Sequence, residues 1–158
     1  MAERFSTGLR NTILKASGSS LADALANGVI YLYSGTQPAT ADATEGTATK
    51  LVEISVASVA YVPSTGANGL NMDVAASGIV SKATGEVWSG VNLADGTIGW
   101  GRFYGNADPV VTGVSTTAIR FDFAVSQGGI TELSAGSTSV LASGTTTIST
   151  FTVTCPAG

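Results

Sequence analysis

The segment Ile119-Arg-Phe-Asp-Phe-Ala-Val125 has the cleanest alternation of apolar and polar residues in the chain. Successive side chains of a β-strand point to opposite faces, so this period of two predicts a strand with one buried and one wet face. Arg120 and Asp122 are predicted to lie on the wet face. The residues predicted to face the core are Ile119, Phe121, Phe123 and Val125.

Similar strand signals recur along most of the chain. They are runs of β-branched and aromatic residues bounded by Gly, Pro, Asp and Ser. The further predicted strands are 29–33, 51–62, 69–74, 79–83, 86–91, 98–104 and 146–154. Strands this short, with turns about every 8–12 residues, predict a mainly β fold, either a β-sandwich or a barrel.

Two of these strands carry a more detailed prediction. The side chains of Ile98, Trp100, Arg102 and Tyr104 alternate with small residues and are therefore expected to share one face. In the last strand, Ile148 is out of phase with Phe151 and Val153. We therefore predict a β-bulge near Ser149.

Helical signals are confined to residues 9–27. Leu9, Ile13 and Leu14 have helical spacing, and Ser19 or Ser20 can cap a helix over residues 21–27 that ends at Gly28. We expect residues 1–28 to form a mildly basic N-terminal arm with a short helix. Residues 29–158 are expected to form the β domain, so that the chain is a single globular domain overall.

The composition restricts the function classes. The chain has no histidine, one cysteine and 11% charged residues, whereas soluble domains average about 25% charged residues. Its net charge of −4 disfavours a nucleic-acid partner. No apolar run approaches the roughly 20 residues of a membrane-spanning helix, so no membrane partner is expected. Polar residues near the N-terminus break any leader-like segment, and the chain is expected to act where it is translated.

The residue pattern predicts no catalytic, cofactor-binding or metal-ligating residues, and hence no enzyme. Without histidine, a serine nucleophile lacks its usual base. Glu53 paired with Glu86 or Asp122 could serve as a glycosidase pair, but acids that alternate with apolar residues are typical of a wet sheet face. A Ca²⁺ site in loops is an alternative, but no spacing of acidic residues matches an EF-hand. Its candidate ligands are Asp42, Glu45, Asp95 and Asp108.

The aromatic residues have two interpretations. They could form a sugar-stacking platform, but such rings more often fill the core of a β fold. The residues concerned are Trp88, Trp100, Tyr104, Phe121 and Phe123. Tyr31 and Tyr33 alternate on one face of their strand, and one or both are expected at a subunit contact.

Three segments are more specific than these patterns. They are Ile30-Tyr-Leu-Tyr-Ser-Gly-Thr-Gln-Pro-Ala-Thr-Ala-Asp-Ala-Thr-Glu-Gly-Thr47, Gly96-Thr-Ile-Gly-Trp-Gly-Arg-Phe-Tyr104 and Ser139-Val-Leu-Ala-Ser-Gly-Thr-Thr-Thr-Ile-Ser-Thr-Phe-Thr-Val-Thr154. Together with Thr7-Gly-Leu-Arg-Asn11, they resemble a family of small tailed-bacteriophage virion proteins that act as capsid decoration, or cement, proteins. The stretch 126–137 departs from the short glycine-rich turn expected there.

The resemblance implies a jelly-roll-like antiparallel β-sandwich that decorates a phage head. It implies binding to the outer surface of the major capsid protein, self-association as a homodimer or homotrimer, no cofactor, and a place on the virion after assembly in the host cytoplasm. The expected capsid or subunit contacts are Arg4, Phe5 and Arg10 in the arm, and Tyr33, Gln37 and Pro38 after the first strand.

Two alternatives stay open. One is a carbohydrate-binding or adhesive module of a head fibre or tail, which needs exposed aromatic faces, whereas a cement protein is expected to bury Trp88 and Trp100. The other is a glycan-active enzyme, which needs two carboxylates about 5–10 Å apart in a groove.

Overall fold

The computed structural model describes residues 3–15, 20–73, 78–106, 110, 112–127 and 133–154. The fold is mainly β, with 45% of the described residues in strands and 9% in helices. The two helices are α1 (Thr7–Ile13) and α2 (Leu21–Leu25). The strands are β1 (Arg4–Phe5), β2 (Val29–Ser34), β3 (Lys50–Val56), β4 (Ile79–Ser81), β5 (Trp88–Val91), β6 (Gly96–Tyr104), β7 (Arg120–Gln127), β8 (Leu133–Ala135), β9 (Ser139–Val140) and β10 (Thr145–Thr154).

Seven strands close into a barrel in the order β7, β8, β10, β5, β3, β2, β6, with β6 pairing back to β7. β1, β4 and β9 extend the wall beside β7, β10 and β6. β7 and β8 run parallel, while the other pairs of named strands are antiparallel. The strand spacing is compatible with either a β-sandwich or a barrel, and the structure has a barrel. The jelly-roll-like sandwich that the resemblance implies is not confirmed.

The barrel interior is packed with aromatic side chains. Phe151 on β10 lies at the centre, with ring-centroid distances of 5.6 Å to Trp88, 5.8 Å to Phe103, 6.2 Å to Phe121 and 5.1 Å to Phe123. All five rings are fully buried. The prediction that Trp88, Phe121 and Phe123 belong to the core is therefore confirmed.

Most strand predictions are confirmed, with different ends. The register of β10 against β8 shifts between Ile148 and Thr150, which confirms the bulge near Ser149. The segment predicted as a strand over 69–74 forms only isolated bridges at Leu70 and Met72 within its described part. The segment predicted over 51–62 was too long, because β3 ends at Val56. β1, β8 and β9 were missed.

The turn after β3 explains this early end. Ala57 and Ser58 have φ angles of 54° and 59°, and the Val59 N–H donates to the Val56 carbonyl at 3.1 Å. Two successive left-handed residues are typical of a type I′ turn, which favours asparagine and glycine. A residue other than glycine or asparagine in the left-handed region costs roughly 1–2 kcal/mol.

We expect Ala57→Asn to raise the free energy of unfolding by about 0.5–1 kcal/mol, because asparagine tolerates the left-handed region that alanine resists. Urea unfolding measures the change. Ala60→Asn is the matched control, because Ala60 is exposed and has no positive φ. A gain at Ala60 as large as at Ala57 would contradict the explanation.

The N-terminal segment is built into the barrel wall. Arg4 and Phe5 pair with Asp122 and Phe121 of β7, so this part of the predicted arm is a strand of the barrel wall in the same chain. Ser6 then caps α1, its side chain accepting from the Leu9 N–H.

The N-cap of α2 is one of the two residues predicted for it. Ser20 is its N-cap, and Asp23 completes a capping box; Ser19 lies outside the described residues. The predicted end was wrong, because α2 ends at Leu25. Asn27, with φ 54°, takes the left-handed position while Gly28 pairs with Leu70.

Candidate functional site

A layer of charged and aromatic side chains covers the outer face of β2, β6 and β7. We call this layer the charged wall. Strand pairing sets its members side by side, because Tyr33 is opposite Trp100, Arg102 opposite Asp122, and Tyr104 opposite Arg120. All are 4% exposed or less. The members of the charged wall are Tyr33, Trp100, Arg102, Tyr104, Arg120 and Asp122.

The prediction that Arg120 and Asp122 face solvent was wrong. Both side chains do point away from the barrel core, but each is 0% exposed. The reason is a second layer, residues 37–45, which we call the strap. The strap lies over the charged wall and contacts it through backbone carbonyls and through Glu45.

Ile98 also departs from its prediction. The register of β2 against β6 shifts between Tyr33 and Ser34. As a result Ile98 packs in the main hydrophobic core, while Trp100 stacks on Tyr33 in the charged wall. The shared face predicted for β6 therefore holds only from Trp100 to Tyr104.

Arg102 is the central cation of the charged wall. Its Nε and Nη2 donate to the two carboxylate oxygens of Asp122 at 2.5 and 2.8 Å. Its Nη1 donates to Glu45 Oε1 at 2.8 Å and to the Ala43 carbonyl at 2.9 Å. One guanidinium thus joins β6 to β7 and to the strap.

Arg120 binds backbone carbonyls of two separate loops. Its Nη2 donates to the Gly113 carbonyl at 2.7 Å, and its Nη1 donates to the Ala41 and Ala43 carbonyls at 3.4 Å. Its guanidinium carbon lies 5.9 Å from the ring centre of Tyr104, within the range of a cation–π contact. Arg120 therefore holds the strap and the 112–118 loop to the same wall.

The tyrosines extend this network. The Tyr104 hydroxyl donates to Glu45 Oε1 at 2.7 Å, and the Tyr33 and Tyr104 hydroxyls share a hydrogen bond of 3.0 Å. The rings of Tyr33 and Trp100 are stacked at 4.6 Å. Glu45 thus accepts from both β6 side chains that reach it, and it secures the end of the strap.

The N-terminal segment holds the other part of the strap. The Thr7 N–H and hydroxyl donate to the two Asp42 carboxylate oxygens at 2.8 and 2.7 Å, and Arg4 donates to the Pro38 carbonyl. The Ser115 N–H donates to the Asp42 carbonyl at 2.9 Å. The N-terminal segment and the 112–118 loop, which are remote in sequence, are therefore both joined to the strap.

Burial and pairing act in opposite directions on the central ion pair. Burial raises the pKa of Asp122, and the hydrogen bonds and charge of Arg102 oppose that rise. Burial acts to lower the pKa of Arg102, but its contacts with Asp122 outweigh burial and the pKa rises. Arg102 therefore stays cationic, and the pair depends on both partners being present.

We expect the four tyrosines to resist ionisation until the protein unfolds. Burial is the main cause that raises the pKa of Tyr31, Tyr33, Tyr61 and Tyr104 above the ordinary value of 10.0. The stability that the neutral phenols contribute is complete below pH 10 and is lost as the pH rises through the folded-state values.

An alkaline titration followed by tyrosinate absorbance and circular dichroism compares the pH at which the tyrosines ionise with the pH at which the protein unfolds. The chain has four tyrosines, and we expect all four to ionise together with loss of the β signal. A gradual appearance of tyrosinate near pH 10 in the folded protein would contradict the prediction.

The predicted contact residues lie in different surroundings. Tyr33 and Gln37, predicted as capsid or subunit contacts, are buried within the chain. Tyr31 is half-buried, with the Lys50 ammonium 4.0 Å from its ring centre. Of the others, Arg10 is exposed, while Arg4, Phe5 and Pro38 are half-buried. Their role in binding a partner stays a prediction.

The acidic candidates are engaged in internal contacts. Glu53 pairs with Lys50 at 3.3 Å, and Glu86 accepts from Asn71 and from the Trp88 indole N–H. Asp95 accepts from the Ala142 N–H at 2.7 Å, and Asp108 lies outside the described residues. No group of three or more Asp, Glu, His or Cys in the described part of the chain could hold a metal ion.

Comparisons with known proteins leave the site to be interpreted from its geometry. No family model, curated protein or solved structure matches the chain. None of its described helices is long and apolar enough to cross a membrane. The contacts are structural in kind, because the charged wall holds the strap and the 112–118 loop against the barrel.

Proposed function

We propose that this chain is a non-enzymatic structural protein that binds other protein surfaces, as a decoration protein on the outside of a tailed-phage head. The resemblance of its 30–47, 96–104 and 139–154 segments supports the head and the major capsid protein as its site and partner. The observation that carries the proposal is the set of large apolar side chains that are exposed on the described surface. They are Leu14, Val59, Val62, Ile79, Val87, Val91, Leu93, Val114 and Leu141.

The exposure of these side chains is large for a protein surface that has few charges. Leu141 is 72% exposed and Leu93 is 54% exposed, in a chain with only 11% charged residues. Single exposed apolar residues are ordinary, but many of them on a weakly charged surface favour contact with other proteins.

The loop that carries Leu141 is held in place by buried polar contacts. The Asn92 side chain donates to the Leu141 carbonyl at 2.9 Å and accepts from the Thr146 hydroxyl at 2.6 Å. The Asn92 N–H donates to the Gly144 carbonyl at 2.8 Å. A side chain presented by an ordered loop loses little conformational entropy on binding, which favours affinity.

A decoration protein also gains from repetition. Each contact with a capsid subunit can be weak, because a closed shell presents many equivalent sites and a multivalent partner binds several of them. The strap and the charged wall contribute to each contact by keeping the strap and the 112–118 loop in fixed positions on one outer face.

The alternative of a sugar-binding or adhesive module receives no specific support. Trp88 and Trp100 are both 0% exposed, so neither offers a ring face for stacking on a sugar. Tyr31 is half-buried beneath Lys50. The buried tryptophans favour a decoration protein, which is the arrangement expected for that class.

The test is co-sedimentation of the purified chain with heads of a tailed phage from which its gene has been deleted. We expect saturable binding at a fixed number of copies per head, weakened at least tenfold by Leu141→Asp. Ala67→Asp, at another exposed position, is the control and should bind normally. Absence of head binding, together with retention on polysaccharide, would overturn the proposal in favour of the adhesive module.

A further inference from the structure

An apolar groove of about 640 Å³ lies at the end of the barrel where β10 finishes. It is bordered by β1, both helices and β4. Its main apolar lining residues are Phe5, Ile13, Leu21, Met72, Val80 and Val153. Glu3 and Asp23 are the acidic residues among its described lining. The groove therefore suits an apolar side chain that is accompanied by a positive charge.

The same surface carries a side chain of this kind. Leu14 follows the last residue of α1, Ile13, which itself lines the groove. Leu14 is 80% exposed, the most exposed of the large apolar residues that the structure describes. Lys15, the next residue, is also exposed. An apolar projection with an adjacent cation thus sits beside an apolar groove with an acidic border.

We propose that a second copy of this chain docks here, with Leu14 of each copy in the groove of the other and Lys15 facing the partner's Asp23. A twofold axis beside the end of α1 makes the contact self-complementary, because one rotation satisfies both grooves at once.

The charges support this arrangement. Hydrogen bonds from the Ser20 side chain and backbone lower the pKa of Asp23, so its carboxylate is ionised at neutral pH. Its attraction to Lys15 is screened by salt. The contact between copies is independent of the capsid proposal, because it concerns the isolated chain.

Sedimentation velocity of the full chain over a range of concentrations tests the proposal. We expect a reversible dimer, and we expect Leu14→Glu to weaken its dissociation constant at least tenfold. Leu141→Glu is the matched control, since Leu141 is 72% exposed and lies just before β10, whose far end reaches the groove. It should leave the dimer unchanged.

Disulfide trapping locates the contact directly. In a Cys155→Ser background, the pair Leu14→Cys and Met72→Cys should form a covalent dimer on oxidation, because Met72 lines the groove. The pair Leu141→Cys and Met72→Cys should remain monomeric on a denaturing gel. A wild-type monomer at all concentrations, equal weakening by both glutamate variants, or equal trapping by both cysteine pairs would each overturn the proposal.

Discussion

Replacing Arg102 with alanine is expected to lower the free energy of unfolding by about 3–5 kcal/mol, as removal of one partner from a buried ion pair does. The change leaves the Asp122 carboxyl group at 0% exposure without its two hydrogen bonds from Arg102. It also removes the donor that Glu45 and the Ala43 carbonyl share. Urea unfolding measures the loss.

Two further variants make this prediction decisive. Lys50→Ala breaks a partly exposed pair with Glu53 and should cost less than about 1 kcal/mol. Arg102→Met combined with Asp122→Leu removes both charges and should recover much of the loss, because apolar replacement of a whole buried pair is often neutral. If the double variant were as unstable as Arg102→Ala, the unpaired Asp122 charge would not be the cause.

Phe151→Ala is expected to destabilise the protein by about 3–5 kcal/mol, the range for removing a buried ring. Phe151 contacts four other buried rings, at centroid distances between 5.1 and 6.2 Å. Its removal leaves an apolar cavity at the centre of a closed barrel, where the surrounding strands have little freedom to collapse. Thermal and urea unfolding both measure the effect.

The control for this core substitution is Val87→Ala. Val87 is 56% exposed, and surface substitutions of this kind usually change stability by less than about 0.5 kcal/mol. A loss at Phe151 no larger than that at Val87 would contradict the role of Phe151 at the centre of the barrel.

The strands of the fold could largely be predicted, because their period of two is a local property. The bulge at Ser149 could also be predicted, since Ile148 falls out of phase within a single strand. Barrel closure could not, because it depends on β6 pairing with β7, and strand patterns alone do not specify partners. β8 and β9 have only three and two residues, too few for a period to be recognised.

The charged wall shows why burial was mispredicted at Arg120 and Asp122. Alternation correctly separated their side chains from those of Phe121 and Phe123. It could not reveal that the strap covers the outer face, because the strap has no periodic pattern of its own. The position of Arg102 between Trp100 and Tyr104 on one face does indicate that this face is covered. A charge between two large aromatic side chains is expected to be buried and to need a partner.

The position of β10 has a consequence for how the chain is made. This last strand lies between β5 and β8, so the barrel cannot close until its residues have left the ribosome. Until then the nascent chain exposes Trp88, Phe103 and Phe121 without Phe151 to pack against. Long-range closure of this kind is slow and leaves intermediates open to aggregation. Translation stalled before residue 145 should therefore yield a chain that depends on chaperones.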